Sequence, residues 1–239
     1  MKSQLYVTDT TRAYFKAEIA SYAETYFQKL LPVFKDIENE ADKKSDEFYN
    51  NFMNMPAYDD CIDPASIAEK ALEIGIEHYS YLKLGKYYLT ATWHSTLYQL
   101  WEQQLRLFLF CEMSHVLNIN FKAFCAKGID EIKKKFQSHN VVIENFSCWP
   151  KINELRLLCN VIKHGDGDSS EKLRELNPAL FRKEPALFER EKDIDYMDTY
   201  KTTLSEETLN INQATLQQYK EALLYFWDEI PERNYSEDI

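Results

Sequence analysis

Residues 152–168, INELRLLCNVIKHGDGD, combine apolar and polar positions in an unusual proportion. At roughly 100° per residue, Asn153, Arg156, Asn160, Lys163 and His164 fall within about 100° of one another. Ile152, Leu155, Leu157, Leu158, Cys159, Val161 and Ile162 cover the rest of the circumference. The pattern predicts a buried helix with one narrow polar line, stopped by a glycine-rich corner at Gly165. Polar side chains on such a helix need partners, because an unpaired buried amide or charge costs a few kcal/mol. Those partners are other side chains, a second subunit or a ligand; alternatively, Lys163 and His164 only complement the helix dipole and Gly165 supplies the cap.

The same periodicity predicts helices along most of the chain. The first begins near residues 8–11 and runs to Leu31, where Pro32 bends or breaks it. A more charged helix follows over residues 32–55, with Phe34, Ile37, Ala41, Phe48 and Phe52 on its apolar side. Asp63-Pro64 reads as an N-cap and first helical position, opening a helix that Gly85 is expected to end. A very hydrophobic helix over 86–117 then forms the spine of a bundle. It carries a second polar line, Ser95, Gln99, Glu102 and Arg106, within about 60°. Glu102 and Arg106 either face the Asn160/His164 line across the core or form an intrahelical salt bridge. A helix from Phe121 is interrupted near Gly128 and restarts through Lys133–Lys135, and the central helix opens at Trp149-Pro150. Ser169 or Ser170 caps a short helix over 171–176, and residues 200–212 allow one short strand or hairpin. A last amphipathic helix turns Leu216, Tyr219, Leu223, Phe226, Trp227 and Ile230 inward, and the tail from Pro231 is expected to be mobile.

With 5 glycines and 7 prolines in 239 residues, the chain reads as all-α and long enough for a sizeable core. Its net charge of −11 argues against nonspecific coating of nucleic acid, but leaves room for a local basic site. Lys133–Lys135 and the group Lys172, Arg174, Arg182 and Lys183 are the candidates for such a site, or are solvated faces. Five cysteines without CxxC spacing read as reduced thiols of a cytoplasmic protein. Neither a signal peptide nor a membrane span is expected.

No P-loop, dinucleotide fingerprint, GxSxG elbow or HExxH occurs, and the 5 histidines stand singly. Neither a metal site nor a cofactor is expected. Arg156, Asn160, Lys163 and His164 suit metal-free phosphodiester cleavage. Histidine titrates near neutrality and moves the proton of a 2′-hydroxyl or leaving oxygen, while Arg and Lys neutralise phosphate.

A long apolar helix, a basic helix, a Trp-containing lead-in and then ELRLLCNVIKHGDG resemble the HEPN superfamily of small all-α domains. Asn160 and His164 match its Asn-x-x-x-His; Cys159 stands where the family's arginine precedes the Asn, and Arg156 lies one turn earlier on the same face. The resemblance implies a multi-helix bundle at residues 62–177, flanked by an N-terminal helical extension (1–61) and a C-terminal extension (178–239), packed as one unit with at most one short hairpin. It also implies a homodimeric, metal-independent endoribonuclease acting as a prokaryotic toxin or antiphage-defence effector on RNA. His164 would be the acid or base, Arg156 and Lys163 would sit on phosphate, and Asn160 would position, with Glu102 and Arg106 as further substrate-binding candidates. The alternative is a non-catalytic HEPN-like module that binds a protein or small ligand, and a regulatory protein partner is possible under either reading.

Overall fold

A computed structural model describes residues 3–55, 63–125, 128–185 and 193–236. The chain is predominantly helical, with two antiparallel sheets of two short strands each. Strand β1 (Gln4–Tyr6) leads into α1 (Asp9–Thr25), where the Thr8 hydroxyl accepts the Thr11 N–H. Pro32 then acts as expected. Lacking an N–H and crowding the preceding turn, it is approached through a wide turn at Tyr26–Leu30 and a tight one at Leu31–Phe34.

Helix α2 (Ile37–Met53) packs against the first half of α3 (Pro64–Ser114), which Asp63 caps through the Ala65 N–H. Gly85 does not end a helix: α3 runs unbroken for 51 residues, about 77 Å at 1.5 Å per residue. A helical glycine costs only about 1 kcal/mol against alanine. Here that cost is outweighed by strong helix formers on both sides, Leu82, Leu84 and Lys86 among them.

Short α4 (Phe121–Cys125) and α5 (Ile129–Gln137) follow, with Gly128 at the N-cap of α5 as the interruption predicted. Helix α6 (Trp149–His164) then lies against α3, α7 (Asp168–Leu176) packs beside α6, and α8 (Tyr196–Tyr200) precedes α9 (Gln213–Glu229). All six inward positions expected of the last helix are buried. Phe15 stacks on Trp227 at 4.5 Å, and buried Gln104 donates to the Phe15 carbonyl while accepting from the Trp227 indole. Arg12 donates to the carbonyls of Trp227 and Ile230, satisfying the open end of α9. One hydrophobic cluster therefore draws residues from α1, α3, α6 and α9 together.

Among the described residues β2 (Lys183–Glu184) pairs antiparallel with β3 (Ile194–Asp195), and residues 200–212 contribute only an isolated bridge, Leu209 to Phe181. The tail expected to be mobile is instead tied down as far as residue 236. Strand β4 (Arg233–Tyr235) pairs with β1, and the Ser236 N–H donates to the Ser3 carbonyl. Pairing between the two ends of a chain leaves no local periodicity to read.

Candidate functional site

Helix α6 is held at both ends. The Glu229 carboxylate, at the end of α9, accepts the Ser147 and Cys148 N–H groups at 2.9 and 3.2 Å, just before α6 begins. Burial, and then the adjacent Glu229, push the Cys148 thiol above its usual range. At the other end the Thr203 hydroxyl donates to the Ile162 carbonyl. Between these anchors Ile152, Leu155, Leu157, Leu158, Cys159 and Val161 are buried as the pattern predicts. Glu154 is buried among them, a polar residue the helical-wheel reading passed over. Its carboxylate accepts from Tyr219 at 2.8 Å, Lys151 at 2.9 Å and Asn177 at 3.1 Å. Burial and this carboxylate together raise the Tyr219 hydroxyl well above its ordinary value.

The polar line faces outward. Arg156 and Asn160 are half-buried, Lys163 and His164 exposed. Arg156 donates from Nε and Nη2 to the Asn153 amide oxygen at 3.1 and 3.0 Å, so its guanidinium leans toward the helix N-terminus. The Asn160 amide reaches the Ser169 hydroxyl at 3.4 Å. Among the described residues no hydrogen bond or ion pair engages the side chain of Lys163 or His164. Cys159 points the opposite way, its thiol 3.8 Å from the Ser95 carbonyl on α3. An arginine at 159 would therefore enter the core, and Arg156 is the arginine on the outward face.

Glu102 and Arg106 form an intrahelical pair at 2.7 Å, both largely shielded. Of the two arrangements read from the sequence, the intrahelical pair is the one the structure shows. Buried Tyr98, a residue the sequence reading did not single out, continues the 102/106 line one turn back. Burial raises the Tyr98 hydroxyl first and Glu102 adds to it, while Arg156 and Arg106 pull the other way. Glu102 and Arg106 also border a concavity of about 660 Å³ with Tyr14, Glu18, Gln99 and Phe121, which none of the α6 residues line. Ser95, on the same line, is buried, and its hydroxyl has no hydrogen-bond partner among the described residues.

The glycine-rich corner has a structural cause. Gly165 adopts φ +73°, a region that disfavours side chains, and passes close to the Lys201 carbonyl. Helix α7 starts at Asp168, three residues before the expected start, so Gly167 and not Ser169 or Ser170 is its N-cap; Ser170 lies inside the first turn and accepts the Gly167 N–H. Burial alone would raise the Asp166 carboxyl, but Ser170, Lys201 and Arg174 outweigh it and hold the pKa below its usual value. Arg174 joins Asp166, Asp195 and Asp198 in one network, which removes it from any basic patch.

The other basic run is similarly occupied. Lys133 pairs with Asp130 and Glu144 and lies over the Trp149 ring, and Lys134 pairs with Glu131. His94 and His139 are buried and hydrogen-bonded on both ring nitrogens, His94 to Thr90 and Thr215, His139 to Lys135 and Ser3. Among the described residues no three His, Cys, Asp or Glu side chains gather as metal ligands, and no helix is long and apolar enough to cross a membrane. No known family model matches the chain, and neither a curated protein nor a solved structure shows significant similarity to it.

Proposed function

We propose that this chain is a HEPN-like, metal-independent endoribonuclease of the cytoplasm, a toxin or antiphage-defence effector that completes its cleft by pairing two copies. The observation that carries this reading is the outward line Arg156, Asn160 and His164, with His164 exposed beside Lys163 and without a hydrogen bond among the described residues. His164 takes the proton of a ribose 2′-hydroxyl as that oxygen attacks phosphorus, and the protonated imidazole then gives that proton to the departing 5′-oxygen, leaving a 2′,3′-cyclic phosphate and a free 5′-hydroxyl. Arg156 and Lys163 neutralise the phosphorane, and Asn160 positions the substrate.

Within one chain Arg156 and His164 are eight residues apart, about 12 Å along the axis, and Arg156 leans away. Two α6 helices approaching antiparallel about a twofold axis at Asn160 would bring Arg156 beside the partner's His164. Pairing would also concentrate positive charge locally on a chain of net charge −11.

The engagement of Arg156 by Asn153 and the burial of Cys159 favour a second reading, a non-catalytic binding module that uses the same face. One experiment separates them. Purified wild type and His164→Ala are incubated with RNA in the presence of a chelator, and in parallel expressed in cells while growth and RNA integrity are followed. Cleavage to cyclic-phosphate ends that slows about a hundredfold or more in His164→Ala supports catalysis. Equal RNA integrity and growth in both overturn it.

A further inference from the structure

The first half of α3 and helix α2 form a two-helix arm whose outer face is left exposed among the described residues. The helices meet through small residues: a Cβ on Gly75 would lie 3.1 Å from Ser45 Cβ and 3.3 Å from the Ala41 carbonyl. Ala41, Ile67, Ala71 and Gly75 are the residues this contact buries. About a third of a turn round α3 from that seam runs a second apolar stripe, Ala65, Ala68, Leu72, Ile76 and Tyr79, at the three-and-four spacing that seats a further helix. Its two largest aliphatic members, Leu72 and Ile76, are 60% and 57% exposed.

The border of this stripe is acidic. Glu69, Glu73 and Glu77 follow one another at four-residue intervals beside Leu72 and Ile76, all exposed. Lys70 neutralises Glu73, at 2.8 Å, and among the described residues Glu69 has no ion pair. Helix α2 adds five exposed carboxylates. Over residues 37–53 and 64–84 the arm carries eight carboxylates against four lysines. A second copy of the same arm, or an anionic lipid surface, would bring like charge against like.

We propose that the arm is the docking site for an amphipathic helix of a partner protein with an apolar stripe and basic flanks. That helix lies along Leu72 and Ile76, its Lys or Arg side chains meet Glu69, Glu73 and Glu77, and it turns the two-helix arm into a three-helix unit. The proposal does not rest on the ribonuclease reading, since the arm shares no residue with the α6 line.

The test uses the full chain and two fluorescent synthetic helices of about three heptads, one with Leu and Lys flanks, the other with Leu and Glu flanks. By anisotropy at low salt the Lys-flanked helix binds about tenfold tighter or better, and added salt weakens it. The exposed double change Leu72→Asp/Ile76→Asp lowers its affinity about tenfold or more without altering the circular dichroism or melting temperature. The triple change Glu69→Lys/Glu73→Lys/Glu77→Lys reverses the preference between the two helices. Equal binding of both helices, or binding indifferent to Leu72→Asp/Ile76→Asp, overturns the proposal. So does a dimer in sedimentation that the Leu72→Asp/Ile76→Asp change dissociates, which makes a second copy the occupant.

Discussion

Gly165 and Lys201 approach so closely that a Cβ on residue 165 would stand 2.8 Å from the Lys201 carbonyl oxygen. This contact, with the Thr203 hydroxyl on the Ile162 carbonyl, fixes where α6 ends and therefore where His164 is presented. Gly165→Ala meets both the clash and an unfavourable positive φ. A loss of roughly 2–4 kcal/mol is expected, read as a melting temperature lower by about 10 °C. A variant that melts with the wild type would show that residues 201–203 do not dock on the corner.

Glu154 is the buried centre of a polar group formed by Lys151, Asn177 and Tyr219. Glu154→Ala leaves the Tyr219 hydroxyl and the Asn177 amide without their acceptor, at an expected cost of about 3 kcal/mol in urea denaturation. Glu154→Gln keeps one acceptor oxygen and should lose less. Equal losses in the two variants would mean that packing, not hydrogen bonding, sets the cost.

His94 is fully buried, donating from Nδ1 to the Thr90 carbonyl and accepting at Nε2 from the Thr215 hydroxyl. Burial lowers its pKa from 6.5 to about 4, the Thr90 bond only partly opposing this. The unfolded chain therefore binds a proton that the folded chain refuses. The contribution is fully present above pH 6.5 and is lost as pH falls toward about 4, amounting to about 3 kcal/mol in all. His94→Gln cannot titrate, so the stability gap between wild type and variant should narrow across that window in urea unfolding at successive pH values. A gap that stays constant would mean His94 is not held neutral.

His164 contributes nothing visible to the fold, being exposed and without a hydrogen bond among the described residues. His164→Ala should change stability by no more than about 0.5 kcal/mol. Thermal unfolding of the purified variant checks this, and a large drop in melting temperature would reveal a structural role that confounds the RNA assay.

Local periodicity determined much of the architecture before any coordinates. The all-α character, the Asp63-Pro64 start of α3, the apolar girth of α6 and the inward face of α9 all follow from it. Each reports how one segment must hide an apolar face, and that requirement is written in residues three and four apart. Tertiary structure decided what depended on distant partners. It paired the tail with β1 and buried Glu154 against Tyr219, 65 residues away. It also set the candidate site apart from its motif. Sequence spacing places Arg156, Asn160 and His164 on one face, whereas only the packing of α6 on α3 sends Cys159 into the core and turns that face to solvent. Helical phase is fixed by neighbours along the chain; which phase meets water depends on what packs across it.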